Sequence, residues 1–336
     1  MALDGSVAER AANGESIAAR DQAVWPRIQW AGALLTLSLL GATLLGSMAR
    51  FLWLGDLAVH FPVQYAGLAL IALVVFLVAR RPAWAALALA VAAANVMNAA
   101  PAMSSRPPPA LKVPSDPVRV RVASINVLYS NREYQRVAEF IHRERPDAVV
   151  LVEMNAAWRR GLAAVEREYP YRYQTVGTSG RGVDLWSRLP FKDVGVLPIE
   201  SRQEPAIQAT LLAQGRPMRL FAVHTTWPMA PASEHRRNKQ LALLAPLTRA
   251  TAVPLVVVGD FNLTPFSPYF RQLLRDGHLR SAAEGFGWQP TWPSFLPPAG
   301  IQIDHAFVSP AVSVQGFHRG MYDGSDHRPI VVDVML

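Results

Sequence analysis

Hydrophobic patterning changes character once along the chain. From Ile28 to about Ala100 the sequence is almost continuously apolar, whereas from Lys112 apolar residues come in short runs broken by polar and turn-forming residues. Ile28–Met48 carries no charge, a length that crosses roughly 30 Å of hydrocarbon. Phe61–Ala79 is a second uncharged run, Arg80-Arg81-Pro82 reads as a basic turn, and Ala83 to about Ala100 is a third, Ala-rich run holding Asn95 and Asn98. Trp25, Trp30 and Trp53 lie near the ends of the first run, as interfacial aromatics do. The pattern predicts a flexible tail over 1–27 and a transmembrane region over 28–103 of about three helices (28–48, 61–79 and 83–100). A stiff Pro-rich linker is expected over 104–117. A cleaved signal peptide is not expected, because further apolar spans follow the first. Arg10, Arg20 and Arg27 before the first span and Arg80-Arg81 after the second place those ends in the cytoplasm. Three inserted spans then put the rest outside, in a multi-pass cytoplasmic-membrane protein; two would return it to the cytoplasm.

The second part predicts alternating strands and helices. Val118–Ile125 alternates basic with apolar residues, as a strand with one buried face does. Helical spacing follows over Glu133–Arg145, a buried strand over Ala148–Val152, and a helix over Ala156–Tyr169. Later strands are expected at Val183–Ser187, Arg219–Val223, Leu255–Val258, Ile301–Val308 and Ile330–Val334, with helices at Glu234–Thr248 and Ser267–Asp276. The class is α/β or α+β with a large sheet system over 118–336.

Polar residues at the strand ends carry the candidate chemistry. Asn126, Glu153, His224, Asp260 with Asn262, Asp304 and the Asp326-His327 pair each follow an apolar run. In extended backbone, residues two apart share a side, so Asp260 and Asn262 are expected to face one spot. The chain has no cysteine, which excludes disulfides, thiolate zinc sites and thiol nucleophiles. Oxygen and nitrogen ligands without sulfur suit a hard divalent cation, Mg²⁺ or Mn²⁺. From Lys112 onward 26 basic residues face 20 acidic ones, a mild excess compatible with a phosphate-bearing substrate.

Ser124-Ile125-Asn126-Val127, Leu151-Val152-Glu153, Ser187-Arg188-Leu189-Pro190, Val223-His224, Gly259-Asp260-Phe261-Asn262, Ile303-Asp304-His305 and Ser325-Asp326-His327-Arg328-Pro329 occur in that order. Together they resemble the endonuclease/exonuclease/phosphatase superfamily of DNase I-like proteins, over about 118–336, and bacterial membrane-anchored members look similar. The resemblance implies a four-layer αββα sandwich and a divalent-metal-dependent phosphoesterase. It implies Glu153 as main metal carboxylate with Asn126 and Asp326 beside it, and Asp260 orienting or deprotonating water with Asn262 holding it. His327 would bind the phosphate with its tautomer fixed by Asp304, and His224 would be a second imidazole there. Val152 departs from the Gln common before the metal Glu, and Leu128 offers no carboxylate for a second metal. His305 and Arg188 are expected to be structural.

A nuclease-like phosphodiesterase is the leading expectation, with Arg132, Arg136, Arg236, Arg237 and Lys239 as candidate contacts to nucleic acid. A lipid head-group phosphodiesterase or phosphatase is the alternative, suggested by the anchor and by Trp288, Trp292 and Phe295, whose loop also reads as a packed lid. A catalytically inactive scaffold protein is the alternative of another class. The bilayer is an expected partner, and no protein partner is inferred.

Overall fold

The computed structural model describes residues 5–105, 116–177, 181–200, 205–321 and 324–336, with side chains from Val24 onward. Most of the expected Pro-rich linker lies outside the described residues. The N-terminal part is helical: α1 (Gly5–Ser47), α2 (Trp53–Ala58), α3 (Pro62–Val78) and α4 (Pro82–Met103). α1 starts inside the stretch expected as a tail, because Ala, Glu and Arg favour helix and extend the apolar segment backward. α3 and α4 open on a proline at their first position, where the missing N–H costs nothing.

Small residues let these helices approach closely. Ala33, Ala72, Ala85 and Ala88 pack around Phe76, and Ala69, Val91 and Ala92 around Leu39. Larger apolar side chains point outward instead: Leu34, Leu37 and Leu44 on α1, Leu70, Ile71 and Val74 on α3, and Leu89 and Val96 on α4 are exposed. Among the described residues two helical stretches, Val24–Ser47 and Pro82–Met103, are long and apolar enough to cross a membrane. The 17 residues of α3 rise about 26 Å, a little under the usual span. Arg81 Nε donates to Gln29 Oε1 at 3.0 Å, so the α3–α4 turn lies beside the start of the apolar part of α1.

Two six-stranded sheets follow. Their elements in chain order are β1 (Arg119–Asn126), α5 (Tyr134–Glu144), β2 (Ala148–Met154), α6 (Ala156–Gly161), α7 (Ala163–Glu166), β3 (Tyr171–Gln174), β4 (Gly182–Ser187), β5 (Phe191–Val196), β6 (Ile207–Ala213), β7 (Arg216–His224), α8 (Pro231–Arg249), β8 (Leu255–Asp260), α9 (Pro268–Asp276), β9 (Arg280–Ser281), β10 (Asp304–Val308), β11 (Ser313–Arg319) and β12 (Ile330–Met335). The first sheet has the order β11-β12-β1-β2-β4-β3, the second β5-β6-β7-β8-β10-β9. β1–β2 and β7–β8 are parallel, each joined through a helix (α5, α8); the other pairs are antiparallel.

Alternation along the strands builds the layers. Val120, Val122, Val150, Val152, Leu220, Ala222, Val256, Val258, Ala306 and Val308 meet in one apolar layer between the sheets. The residues between them point outward, Ala123, Ile125, Val149 and Leu151 against α5 and α6, Val223, Leu255, Val257 and Phe307 against α8 and α9. Helix, sheet, sheet and helix are therefore stacked, the α+β arrangement expected. Central strands are buried on both faces, so they read as continuous apolar runs.

Candidate active site

β8 is central in its sheet, with β7 parallel on one side and β10 antiparallel on the other. Register sets His224 beside Asp260 and Asp260 beside Asp304. All three continue the inward phase of their strands, Ala222 to His224, Val258 to Asp260 and Ala306 back to Asp304, so all reach the gap between the sheets. Gly259 makes the close pairing possible: its φ is 148°, and a Cβ there would fall 1.9 Å from Val223 O.

The other sheet supplies the facing groups. Asn126 continues the inward phase of Val120 and Val122, and its Nδ2 donates to Asp260 Oδ2 at 3.0 Å across the sheets. Glu153 reaches the same place by another route. Strict alternation would send it to the helix side with Val149 and Leu151, but β2 bulges between Val152 and Met154 and Glu153 has φ 64°. The bulge returns its carboxylate to the site, with Asn126 Nδ2 3.5 Å from Oε1 and the Tyr129 amide donating to Oε2 at 3.1 Å.

The loop before β12 completes the group. His327 Nδ1 is 2.9 Å from Asp304 Oδ2, while Nε2 lies 3.7 Å from Asp260 Oδ2 and 3.5 Å from Asn126 Nδ2. Ser325 fixes this loop: its hydroxyl donates to Asn126 O at 2.7 Å and accepts from the His327 amide at 3.1 Å. His224 Nε2 is 3.6 Å from Asp260 Oδ2. Asp326 Oδ2 accepts from Trp292 Nε1 at 3.0 Å.

Asn262 departs from the expected geometry. β8 ends at Asp260 and Asn262 has φ 50°, so the two side chains are not successive positions on one strand face. The Asn262 amide instead donates to Asp260 Oδ1 at 2.9 Å, and its Nδ2 to Thr225 O at 3.0 Å. An Asx-type turn holds them together in place of extended backbone.

Burial dominates the electrostatics. It pushes Asp260 up to about 6, opposed by the positive charge of His327 and reinforced by Asp304. Burial also disfavours charge on His327, but the Asp304 and Asp260 carboxylates outweigh it and raise that imidazole to about 10. His305, next to Asp304, faces the other way among Phe261, Phe270 and Phe307, where burial lowers it to about 4. Arg188 lies over Tyr169 and 3.5 Å from Glu168, in contacts that hold the fold.

Asp260, Asp304 and His327 offer ligand atoms within 4.8 Å of one another, and Asn126 ties Glu153 to the same group. Asp326 Oδ1 is buried with no hydrogen-bond partner among the described residues. Hard donors and an unsatisfied buried carboxylate oxygen fit Mg²⁺ or Mn²⁺.

Residues 123–327 match the model of the Endonuclease/Exonuclease/phosphatase family, covering most of both sheets and nearly every side chain described above. The chain belongs to the endonuclease/exonuclease/phosphatase family. Members are in general phosphoesterases that depend on divalent metal. Several solved family folds superpose on it. D. rerio TDP2, solved with a single-strand DNA product, is 17% identical with a TM-score of 0.54, over 64% of this chain and 98% of its own. A family protein from Bacteroides vulgatus is 20% identical with a TM-score of 0.54, over 64% and 98%. One from Beutenbergia cavernae is 23% identical with a TM-score of 0.52, over 65% and 72%. No curated protein sequence matches the chain.

Sequence reasoning missed Arg181 at this family site and read Trp292 as part of a lipid-facing or lid loop, not as the partner of Asp326. Arg181 Nη1 stands 3.6 Å from Glu153 Oε2. Neither residue ends a strand, so the pattern that found the others had no hold on them. Of the basic residues expected to face nucleic acid, Arg237 is wholly buried against Asp56, Arg136 pairs with Glu133 and Lys239 with Glu200.

His327 sets a pH dependence. Between the ordinary histidine value near 6.5 and about 10, the folded chain keeps a proton that the unfolded chain has released. Stability from this group is therefore complete below about 6.5 and lost as pH rises toward 10. Asp260 gives a loss of the same sign between the ordinary aspartate value near 4 and about 6. Melting of the chelator-treated protein should weaken steadily from pH 7 to 10, and His327→Gln should flatten that slope. An unchanged slope in the variant contradicts the assignment.

Proposed function

We propose that this protein is a membrane-anchored, divalent-metal-dependent phosphodiesterase. The observation that carries the reading is the Asn126 amide joining the Glu153 and Asp260 carboxylates, with His327 Nε2 beside the same Asp260 oxygen. Glu153, Asn126 and Asp326 would hold the metal, which when bound neutralises phosphoryl charge. Asp260, with its pKa raised toward neutrality, orients and deprotonates the attacking water, and Asn262 steadies that water or a phosphate oxygen. Water adds to phosphorus as the ester P–O bond breaks. His327, kept protonated by Asp304, binds the phosphate and stabilises its growing negative charge. His224 assists there or at the leaving oxygen.

The anchoring reading rests on the outward Leu, Ile and Val side chains of α1, α3 and α4, a surface that water does not favour and lipid does. Arg27, Arg80 and Arg81 mark one end of the bundle, and the catalytic domain docks at the other. That supports three spans, with the domain on the periplasmic or extracellular side.

Two substrate classes remain. A nuclease-like activity is supported by likeness to TDP2, whose structure holds single-strand DNA. A lipid head-group activity is favoured by this chain's own surface. Trp227 and Met229 after β7, and Phe295 and Leu296 beside the Asp326 loop, are exposed. The first of these loops touches α2, since Trp53 Nε1 donates to Pro228 O at 2.8 Å.

Full-length protein should hydrolyse bis-p-nitrophenyl phosphate with Mg²⁺ and lose the activity in EDTA. Asp260→Ala and His327→Ala should each lower turnover by about 10²–10⁴-fold; undiminished turnover in both sinks the reading. Plasmid DNA, RNA and phospholipid vesicles, assayed side by side, separate the substrate classes. Fused after Lys112, alkaline phosphatase should be active and GFP dark; the reverse would place the domain in the cytoplasm.

A further inference from the structure

The connector between the first two apolar helices reaches into the catalytic domain just behind Asn262. Asp56 on α2 is completely buried, and its Oδ2 accepts from Arg237 Nη2 at 2.6 Å. Arg237, equally buried on α8, uses its other terminal nitrogen, Nη1, to donate to Asn262 O at 2.9 Å. Its Nε donates to Asn238 Oδ1 at 2.8 Å, and its guanidinium lies 5.6 Å from the centre of the Tyr269 ring. One helical turn beyond Asp56, His60 Nδ1 is 2.9 Å from Thr264 Oγ1. Asp56 through Arg237, and His60 directly, therefore hold the few residues that follow Asp260.

Docking alone does not require this chemistry. A buried ion pair seldom stabilises more than apolar packing of the same volume, because both charges lose their water. Here the burial is also incomplete in its hydrogen bonding, since Asp56 Oδ1 and His60 Nε2 have no hydrogen-bond partner among the described residues. What the polar pairing adds is direction. Asn262 sits at φ 50°, a conformation that non-glycine residues adopt at some cost, so outside contacts must hold it. Asp260 takes its amide and Thr225 its side chain, while Arg237, oriented by Asp56, takes its carbonyl.

We infer that Asp56 and His60 are positioning residues for the active site, acting through Arg237 and Thr264 to hold Asn262 in its left-handed turn. The helical region is then a working part of the catalytic centre as well as an anchor. The inference rests on the phosphodiesterase reading for its kinetic consequence and on the geometry alone for its structural one. Burial, and then the Arg237 charge, lowers His60 to about 3, so it acts as a neutral hydrogen-bonding group at any working pH.

The test uses the full chain in detergent, with Asp56→Asn, and with Thr264→Val as the milder variant that removes only the hydroxyl held by His60. Gln64→Ala is the control, because Gln64 bridges α3 to Gly300 at the same interface without touching residues 260–264. Amide hydrogen exchange should quicken about tenfold or more at 261–264 in both test variants, with 255–258 little changed; the melting temperature should hold in Thr264→Val and fall in Asp56→Asn, which leaves the buried Arg237 charge without its partner. With bis-p-nitrophenyl phosphate, kcat should fall about tenfold or more while KM stays within about twofold, and the control should match the wild type. Wild-type exchange at 261–264 in both variants overturns the inference, as does loosening spread evenly over the whole domain. A wild-type protein inactive on every phosphodiester would defeat the functional reading alone, and the exchange measurement would still decide this one.

Discussion

The structure turns on what happens where the apolar layer between the two sheets ends. Along most of its length that layer is Val, Ile, Leu and Ala from both sheets. At the strand ends the same inward positions become Asn126, His224, Asp260 and Asp304, and two carboxylates meet an imidazole in a buried place. Isolated charges there would be prohibitively costly. They persist because each has a partner: Asp304 beside His327 Nδ1, Asn126 on Asp260, and the bulged Glu153 within reach of the same amide. The site's chemistry and its electrostatic satisfaction are one arrangement.

Much of this was legible in the sequence, and the reason is period two. Once Val256 and Val258 face inward, Asp260 must as well, and the same counting carries Asn126 from Val122, His224 from Ala222 and Asp304 from Ala306. Counting fails where the backbone leaves the extended region. Glu153 would have been sent to the helix side without its left-handed bulge, and Asn262 shares Asp260's surroundings through a turn. Both exceptions sit at positive φ, which a pattern of apolar and polar letters does not encode.

The helical part was legible in outline only. Its apolar runs foretold the helices, but α2 is too short to show a period, and its contact with α8 spans well over a hundred residues of sequence. Arg237 illustrates the difficulty. Read locally, it is one of several basic residues expected to face nucleic acid; in the fold it is buried, its charge met by Asp56 from the other part of the chain. Long-range pairing of this kind leaves no local signature, yet it ties α2 through Arg237 to the turn that follows Asp260.

The central claim is that Glu153, Asn126, Asp260 and their neighbours form a divalent-metal phosphoesterase site. Anomalous diffraction from crystals soaked in Mn²⁺ addresses it most directly. The account predicts an anomalous peak within coordination distance of Glu153 and lost in Glu153→Gln. A fully soaked crystal with no peak there, or with a peak indifferent to that substitution, would contradict it.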